Sequence, residues 1–471
     1  MLISCVFSVA LVGCQEPSQT VSPRTETAGE TPSRVDAGIT PTSGDPQRGY
    51  ERLINSGYVS CGIPERLAPF LDTGDESDRI EGRGAPSDEL PYYFTKYEAP
   101  SGVNLLVANC LSCHASHFNG ELVIGLGDVY QDYSQDLAQF AESSLGIAER
   151  LLESEEEKAE LQKFVARSLA ISDYARTLTR GVNPAMSITA GIMSHLDPET
   201  LTWSETPVLD VPASYSELIV ASNPPPWWWY KKKSRMFYSA SGGGNHVAWS
   251  MLASSMCLDS QAQAEAIAQD FPDILAYLRT VEAPEYPWEV DAELAASGEP
   301  VFERECARCH GTYGMQWTYP ELVIPFDEIG VDEEMATRMF DADLFHDWVE
   351  RSFFGLESSA TPELGYVAPP LDGVWATAPY LHNGSVPTIE ALLNSSTRPQ
   401  CWTWSYDSRD YDPARLGWQY QESSCHEALT PEERGAVYDT TQRGYGNQGH
   451  TYGDQLNGEE RSALLEYLKT L

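Results

Sequence analysis

The sequence predicts a mainly α protein in which two like units follow one another, with helical and loop insertions between their parts. Two recurrences carry that expectation. The pattern Cys-x-x-Cys-His stands at Cys110–His114 (CLSCH) and returns at Cys306–His310 (CARCH). The run Ile274-Leu275-Ala276-Tyr277-Leu278-Arg279-Thr280-Val281 returns as Leu464-Leu465-Glu466-Tyr467-Leu468-Lys469-Thr470-Leu471, each copy following its Cys-x-x-Cys-His at a similar interval. Apolar residues at i, i+1 and i+4 give each run one buried helical stripe.

The pentapeptide specifies a covalent haem site. Two residues between the cysteines let both thiols reach the porphyrin edge from one helical turn, and the next side chain then points at the iron. A zinc or disulfide reading requires a further pair of cysteines beside each motif, and neither motif has one. Cys110 and Cys113 would bind one haem c and Cys306 and Cys309 a second, with His114 and His310 as iron ligands. The units are then two cytochrome c-like haem domains in tandem, 46–285 and 286–471, each closed by one copy of the repeated helix. In the second, Gly298 and Phe302 mark an opening helix: the glycine permits a close crossing and the aromatic packs near the haem.

At 471 residues the chain has ample length for two such domains. Its 70 acidic against 30 basic residues give a net charge of -40. That charge opposes binding to nucleic acid and fits either simple solubility or a basic redox partner.

Met1–Cys14 is an uncharged apolar run ending Leu11-Val12-Gly13-Cys14, a lipoprotein signal pattern. It is too short to span a bilayer. The expectation is a periplasmic protein anchored through lipidated Cys14, with Gln15 favouring the outer membrane. Residues 15–45, rich in Pro, Ser, Thr and Gly, read as a disordered tether. Of ten cysteines, Cys5 belongs to the signal, Cys14 carries lipid and four hold haem. Cys61, Cys257, Cys401 and Cys425 remain, an even number in an oxidising compartment, with Cys401 and Cys425 the local pair.

Within the first unit, Asp136–Thr179 has Leu151, Leu152, Leu161, Phe164 and Leu169 at helical spacing, an inserted helical segment. Asn223–Lys233 (NPPPWWWYKKK) cannot be helix until its prolines end, and forms a rigid loop holding three indoles. Those indoles either wedge the domains together or relay electrons between the haems. The lysines either pair with haem propionates or are solvated.

Seven histidines remain for the distal positions: His117, His195, His246, His346, His382, His426 and His450. His450, in GNQGH just before the closing helix, sits where a cytochrome c fold returns a ligand over the iron. A bis-histidine haem is closed to small molecules and suits electron storage. For the first haem the choice stays open: His246 in SGGGNHV lines the distal pocket or binds iron, and Met256 is a rival. An accessible sixth position there would admit peroxide or dioxygen.

Ala378–Thr388 (APYLHNGSVPT) resembles the TAPYxHxGSxxT signature of bacterial di-haem cytochrome c peroxidases and their relative MauG. Histidine at 450, the PPWW-x-x-KKK run, the long spacing between motifs and GYVSCGIP at Gly57–Pro64 look more like the RoxA-like rubber-oxygenase branch. The resemblance implies an active-site haem on His114, an electron-transfer haem on His310 and His450, and an inter-haem tryptophan at Trp228 or Trp227. It also implies a calcium site near the carbonyls of Thr377 and Pro379. Two features depart from it. No glutamate follows the tryptophan loop before Asp259, leaving His246 as the available acid/base, and rubber oxygenases are released from the cell whereas this chain reads as anchored. The function expected is peroxide reduction or dioxygen activation, with a small redox protein of cytochrome c or cupredoxin type as donor. The alternatives are a dioxygenase cleaving an olefin and a pure electron-transfer cytochrome.

Overall fold

A computed structural model describes residues 33–34, 43–71, 74–135, 145–146, 148–340, 343–356, 358–361 and 363–471. The apolar run with Cys14 and most of 15–45 lie outside the described residues, as does the start of the inserted segment at 136–144.

The helices that frame the sites are, in chain order, α1 (Pro46–Asn55), α2 (Leu111–His114), α3 (Glu155–Ala170), α4 (Phe271–Leu278), α5 (Ala292–Glu305), α6 (Ala307–His310) and α7 (Gly458–Leu468). α1 starts at a proline whose missing N–H costs nothing there, and Asp45 accepts from the amides of Gln47 and Arg48. α5 is capped in the same way by Asp291, and α7 by an Asn457–Glu460 capping box.

These caps and crossings repeat. α1 crosses α4 so closely that a Cβ on Gly49 would stand 2.0 Å from the carbonyl oxygen of Asp273. α5 crosses α7 with a Cβ on Gly298 at 2.0 Å from the carbonyl oxygen of Ala463. Asp273 and Ala463 each immediately precede the repeated octapeptide. The repeated tyrosine packs alike in both: Tyr277 against Tyr50 with ring centroids at 5.2 Å, Tyr467 against Phe302 at 5.3 Å. The capping residue's own amide is held by the closing helix too, Asp45 to Asp273 at 2.8 Å and Asp291 to Glu466 at 2.6 Å. The first opening helix carries the same signal in sequence, Gly49 followed four residues on by Leu53.

Short antiparallel sheets, for which the sequence expectation makes no provision, fill the intervals. Between α1 and the first Cys-x-x-Cys-His, Ile63–Pro64, Asn104–Ala108 and Phe94–Glu98 pair in that order, with Leu105, Leu106 and Val107 fully buried. A disulfide, Cys61–Cys257, ties the edge of this sheet to the segment ahead of α4. Directly after α2, Ala115–Phe118 and Glu121–Ile124 form a hairpin around Asn119-Gly120, both at positive φ (51° and 84°) as a type I′ turn requires. That hairpin carries Phe118 into an aromatic cluster with Trp288, Trp375 and Tyr411, so one apolar core runs through both halves of the chain.

In the second half, Leu322–Pro325 pairs with Gly365–Val367, and Cys401–Trp404 pairs with Tyr420–Glu422 and Tyr438–Asp439. The second disulfide joins Cys401 to Cys425. Ser33–Arg34, within the stretch expected to be a disordered tether, adds as a short strand to Leu322–Pro325. Backbone pairing on a sheet edge needs no apolar side chains, which is why composition gives no sign of it. The inserted segment contains α3, whose Leu161 and Val165 pack with Leu67 and Leu152 in a small satellite core. Among the described residues, no helix is long and apolar enough to cross a membrane.

Candidate haem sites

The second Cys-x-x-Cys-His follows α5 without interruption, Cys306 being both the end of α5 and the start of α6. Cys306, Cys309 and His310 line an apolar cavity whose walls include Phe302, Val331, Leu371, Leu381 and Leu464. His310 donates from Nδ1 to the carbonyl of Pro369 at 2.7 Å, which fixes its ring and leaves Nε2 for the cavity.

Across the cavity stands His450, its ring centroid 6.3 Å from that of His310. An iron held between two imidazoles by bonds of about 2 Å puts the ring centroids roughly 6 to 6.5 Å apart. The two rings therefore have the separation of an axial ligand pair. Burial holds both as neutral imidazole, the metal-binding form, and pushes His450 down to about 3.

His450 reaches this place on a constrained loop. It sits at φ 46°, next to Gly449 at φ 76°, where a Cβ would meet the backbone of Gly330 at 2.2 Å. Arg398 staples the loop by donating to the carbonyls of Asn447 (2.6 Å), Gly449 (2.7 Å) and His450 (3.1 Å). Asn383 of the APYLHNGSVPT segment donates to Gly446 at 2.9 Å, tying that segment to the same loop. Arg398 carries no signal in the sequence beyond being a lone arginine before Pro399 in a polar stretch, which names no partner.

At the first site, Cys113 and His114 lie on α2 and Cys110 is its N-cap residue, and burial pushes His114 down to about 4. The Pro225 carbonyl acts on His114 as the Pro369 carbonyl acts on His310, although only the latter contact closes to a full hydrogen bond. Both carbonyls come from proline runs, Pro224–Pro226 and Pro369–Pro370, whose fixed φ makes them rigid supports. Cys110, Cys113, Cys306 and Cys309 are all free thiols, while Cys61, Cys257, Cys401 and Cys425 are all in disulfides. Two adjacent cysteines left unpaired at each motif, in a chain whose other described cysteines are oxidised, are what thioether attachment requires.

Between the sites runs a 3-10 turn, Trp227–Lys232, beginning where the prolines end. Trp227 stacks on His114 with centroids 5.1 Å apart and planes at 23°. Trp229 lines the cavity of His310 and His450. Trp228, fully buried, donates its indole N–H to the carbonyl of Asp372 at 2.7 Å, and Trp229 donates to the same oxygen at 2.9 Å. Asp372 is three residues beyond Pro369, so the turn is fastened to the support of His310. Two of the three lysines pair with protein carboxylates, Lys232 with Asp372 at 2.7 Å and Lys231 with Glu282, and Lys233 donates to the carbonyl of Phe237 at 3.3 Å.

Four of the other histidines are engaged elsewhere. His246, fully buried, takes the Tyr230 hydroxyl at Nδ1 (2.9 Å) and meets the Ser234 carbonyl at Nε2 (3.0 Å). His195 stacks on Trp203 and bonds the Ser204 carbonyl; His426 bonds that of Val437; His117 that of Ser77. His382 lines the second cavity, stacked on Tyr366 at 4.2 Å. Met256 lies in the turn Leu252–Cys257, its carbonyl accepting from Arg167 at 3.1 Å. Near the expected calcium position the Pro379 carbonyl accepts from Asn223 at 2.6 Å, and that of Ala378 from Trp418 at 2.9 Å.

Residues 365–403, which hold Pro369, Asp372, the APYLHNGSVPT segment and Arg398, match the family described as RoxA-like, cytochrome c-like. A cytochrome c-like segment implies haem c. The chain is 31% identical over 225 residues to the uncharacterized protein y4iM of Sinorhizobium fredii, covering 39% of this chain and 50% of that one. It is 44% identical over 119 residues to the uncharacterized protein y4iJ of the same strain, covering 23% of this chain and 18% of that one. The chain thus spans half or less of the length of these relatives. The family match supports kinship with the RoxA-like cytochromes, and with it a haem-based oxidoreductase.

Proposed function

We propose that the chain is a di-haem c-type oxidoreductase in which His310 and His450 would hold an electron-storing haem and His114 a reactive haem, which would supply the site for peroxide reduction or dioxygen activation. The observation that carries this reading is the inequality of the two sites: His310 has a second imidazole at axial-ligand separation, and His114 has an indole stacked on it instead. Each haem, when bound, supplies an iron that changes oxidation state by one electron.

The chain's own residues supply the rest. The Pro369 carbonyl orients His310, and burial keeps both histidines neutral. Trp227 and Trp229 bring indole rings to opposite ends of one turn, and the Asp372 carbonyl holds that turn rigid, so electron transfer needs no side-chain rearrangement. The apolar cavity wall keeps water from the second site and suits it to storage. The reading includes a periplasmic setting, an anchor through Cys14, and a small basic cytochrome or cupredoxin donor complementary to the charge of -40.

A second reading, favoured by the RoxA-like match, is a dioxygenase that inserts both oxygen atoms into an olefin without an external donor. Optical spectra of the ferric and ferrous protein, with and without cyanide or carbon monoxide, separate the possibilities. One haem in two is expected to bind these ligands. A stable oxygen complex in the protein as isolated selects the dioxygenase, and failure of either haem to bind any ligand leaves an electron carrier.

A further inference from the structure

The 3-10 turn that links the sites carries one redox-capable side chain with no part in the transfer described above. In a 3-10 helix, side chains at i and i+3 eclipse, so Tyr230 shares a face with Trp227, the indole stacked on His114. Tyr230 is buried, and its hydroxyl lies 2.9 Å from Nδ1 of His246. The Nε2 of that ring faces the Ser234 carbonyl at 3.0 Å, an acceptor that can only be met by Nε2–H. That tautomer makes Nδ1 the acceptor of the tyrosine proton. The Arg279 guanidinium lies 4.9 Å from the centre of the Tyr230 ring and opposes any positive charge there. Oxidation of the ring must therefore expel the phenolic proton at the same time, and the one acceptor in line for it is His246. Burial pushes His246 down to about 4, with Arg279 and Lys233 acting in the same direction, so the ring is neutral and a weak base. The phenol becomes acidic enough to protonate the His246 Nδ1 only once the tyrosine ring is oxidised.

We propose that Tyr230 and His246 form a redox-active tyrosine–histidine pair that supplies one of the two electrons hydrogen peroxide takes at the first haem when no donor is bound, the second haem supplying the other. The inference rests on the peroxide reading of the first site. One electron leaves the Tyr230 ring through Trp227 to the oxidised first haem, the O–H bond breaks, and the proton moves to Nδ1 of His246. A neutral tyrosyl radical remains beside an imidazolium. A donor electron returns to the ring later, and the proton goes back to oxygen. The pair protects Trp227 and the haem from oxidative damage while the donor is absent.

The test is freeze-quench electron paramagnetic resonance of the holoprotein mixed with hydrogen peroxide in the absence of donor, with the haem optical bands followed in parallel. Wild-type protein is expected to show a tyrosyl signal that narrows when ring-deuterated tyrosine is incorporated, a change that leaves the fold untouched. Tyr230→Phe abolishes that signal while the haem bands still respond. His246→Ala slows its formation by roughly 100-fold, the low end of what a positioned base contributes. A signal of unchanged yield in Tyr230→Phe overturns the assignment, as does a haem response in wild type with no tyrosyl radical. Absence of any haem response to peroxide overturns the peroxide reading itself, and the pair then has nothing to discharge.

Discussion

The imidazole rings of His310 and His450 stand with their centroids 6.3 Å apart across an apolar cavity, although the residues come from opposite ends of the second half of the chain. On the proposed ligation His450→Ala removes one of two axial ligands, so one haem of the pair should turn from low-spin to high-spin and become able to bind carbon monoxide. His450→Met should restore a low-spin spectrum with a raised potential. Optical and paramagnetic resonance spectra of the two variants check this, and an unchanged His450→Ala spectrum removes the residue from the iron.

Cys306→Ala combined with Cys309→Ala eliminates the second attachment site and leaves Cys110 and Cys113 intact. The pyridine haemochrome of the purified variant should fall to half that of the parent. A wild type that contains one equivalent per chain would contradict the two-site reading outright.

Trp227 stacks on His114, and Trp228 is one position away with its indole fixed to Asp372. Trp227→Phe should slow inter-haem transfer by roughly tenfold or more, a barrier increase of about 1.4 kcal/mol. Trp228→Phe should have the smaller effect. Stopped-flow oxidation of the half-reduced protein resolves the order, and equal rates in both variants and wild type would return the indoles to packing alone.

Gly298→Ala places a methyl group 2.0 Å from the Ala463 carbonyl oxygen and must push α5 from α7, at a cost on the order of 1–3 kcal/mol. Gly49→Ala does the same between α1 and α4. Gly458→Ala, where a Cβ meets nothing within 4 Å, serves as the control and should be neutral or slightly stabilising. Denaturant midpoints of the three variants test the set.

Asp128 is buried, its amide donating to the Cys113 carbonyl at 2.9 Å, and the cost of burying its charge lifts its carboxyl to about 6. The Tyr130 amide at 2.9 Å offsets that cost only in part. A carboxyl raised in the folded state contributes stability that is fully present below the unfolded value, about 4, and is lost as pH rises through about 6. Asp128→Asn should therefore gain on wild type above pH 6 by up to roughly 3 kcal/mol, and by nothing near pH 4. Unfolding midpoints measured across that range check both the sign and the window.

The sequence by itself determined what consecutive residues can state: two Cys-x-x-Cys-His motifs and one closing helix written twice. Attachment is local chemistry, completed within a single turn of chain, and helix packing of this kind repeats because glycine and apolar spacing repeat with it. The NPPPWWW run likewise announced a rigid turn, since proline fixes φ wherever it stands.

Only the tertiary structure decided which side chain faces each iron ligand. The axial separation of His310 and His450 depends on Gly298 admitting α7 and on Arg398 gathering three loop carbonyls, contacts between segments that no local pattern couples. In sequence His246 and His450 each stand in a glycine-bearing loop, and the place of His450 directly before the closing helix sets it apart as the distal candidate. In the fold, one spends its ring nitrogens on Tyr230 and Ser234, and the other turns its ring to a second histidine. A hydrogen bond or a ligand position is a matter of ångströms, and that distance is set by where the rest of the chain packs.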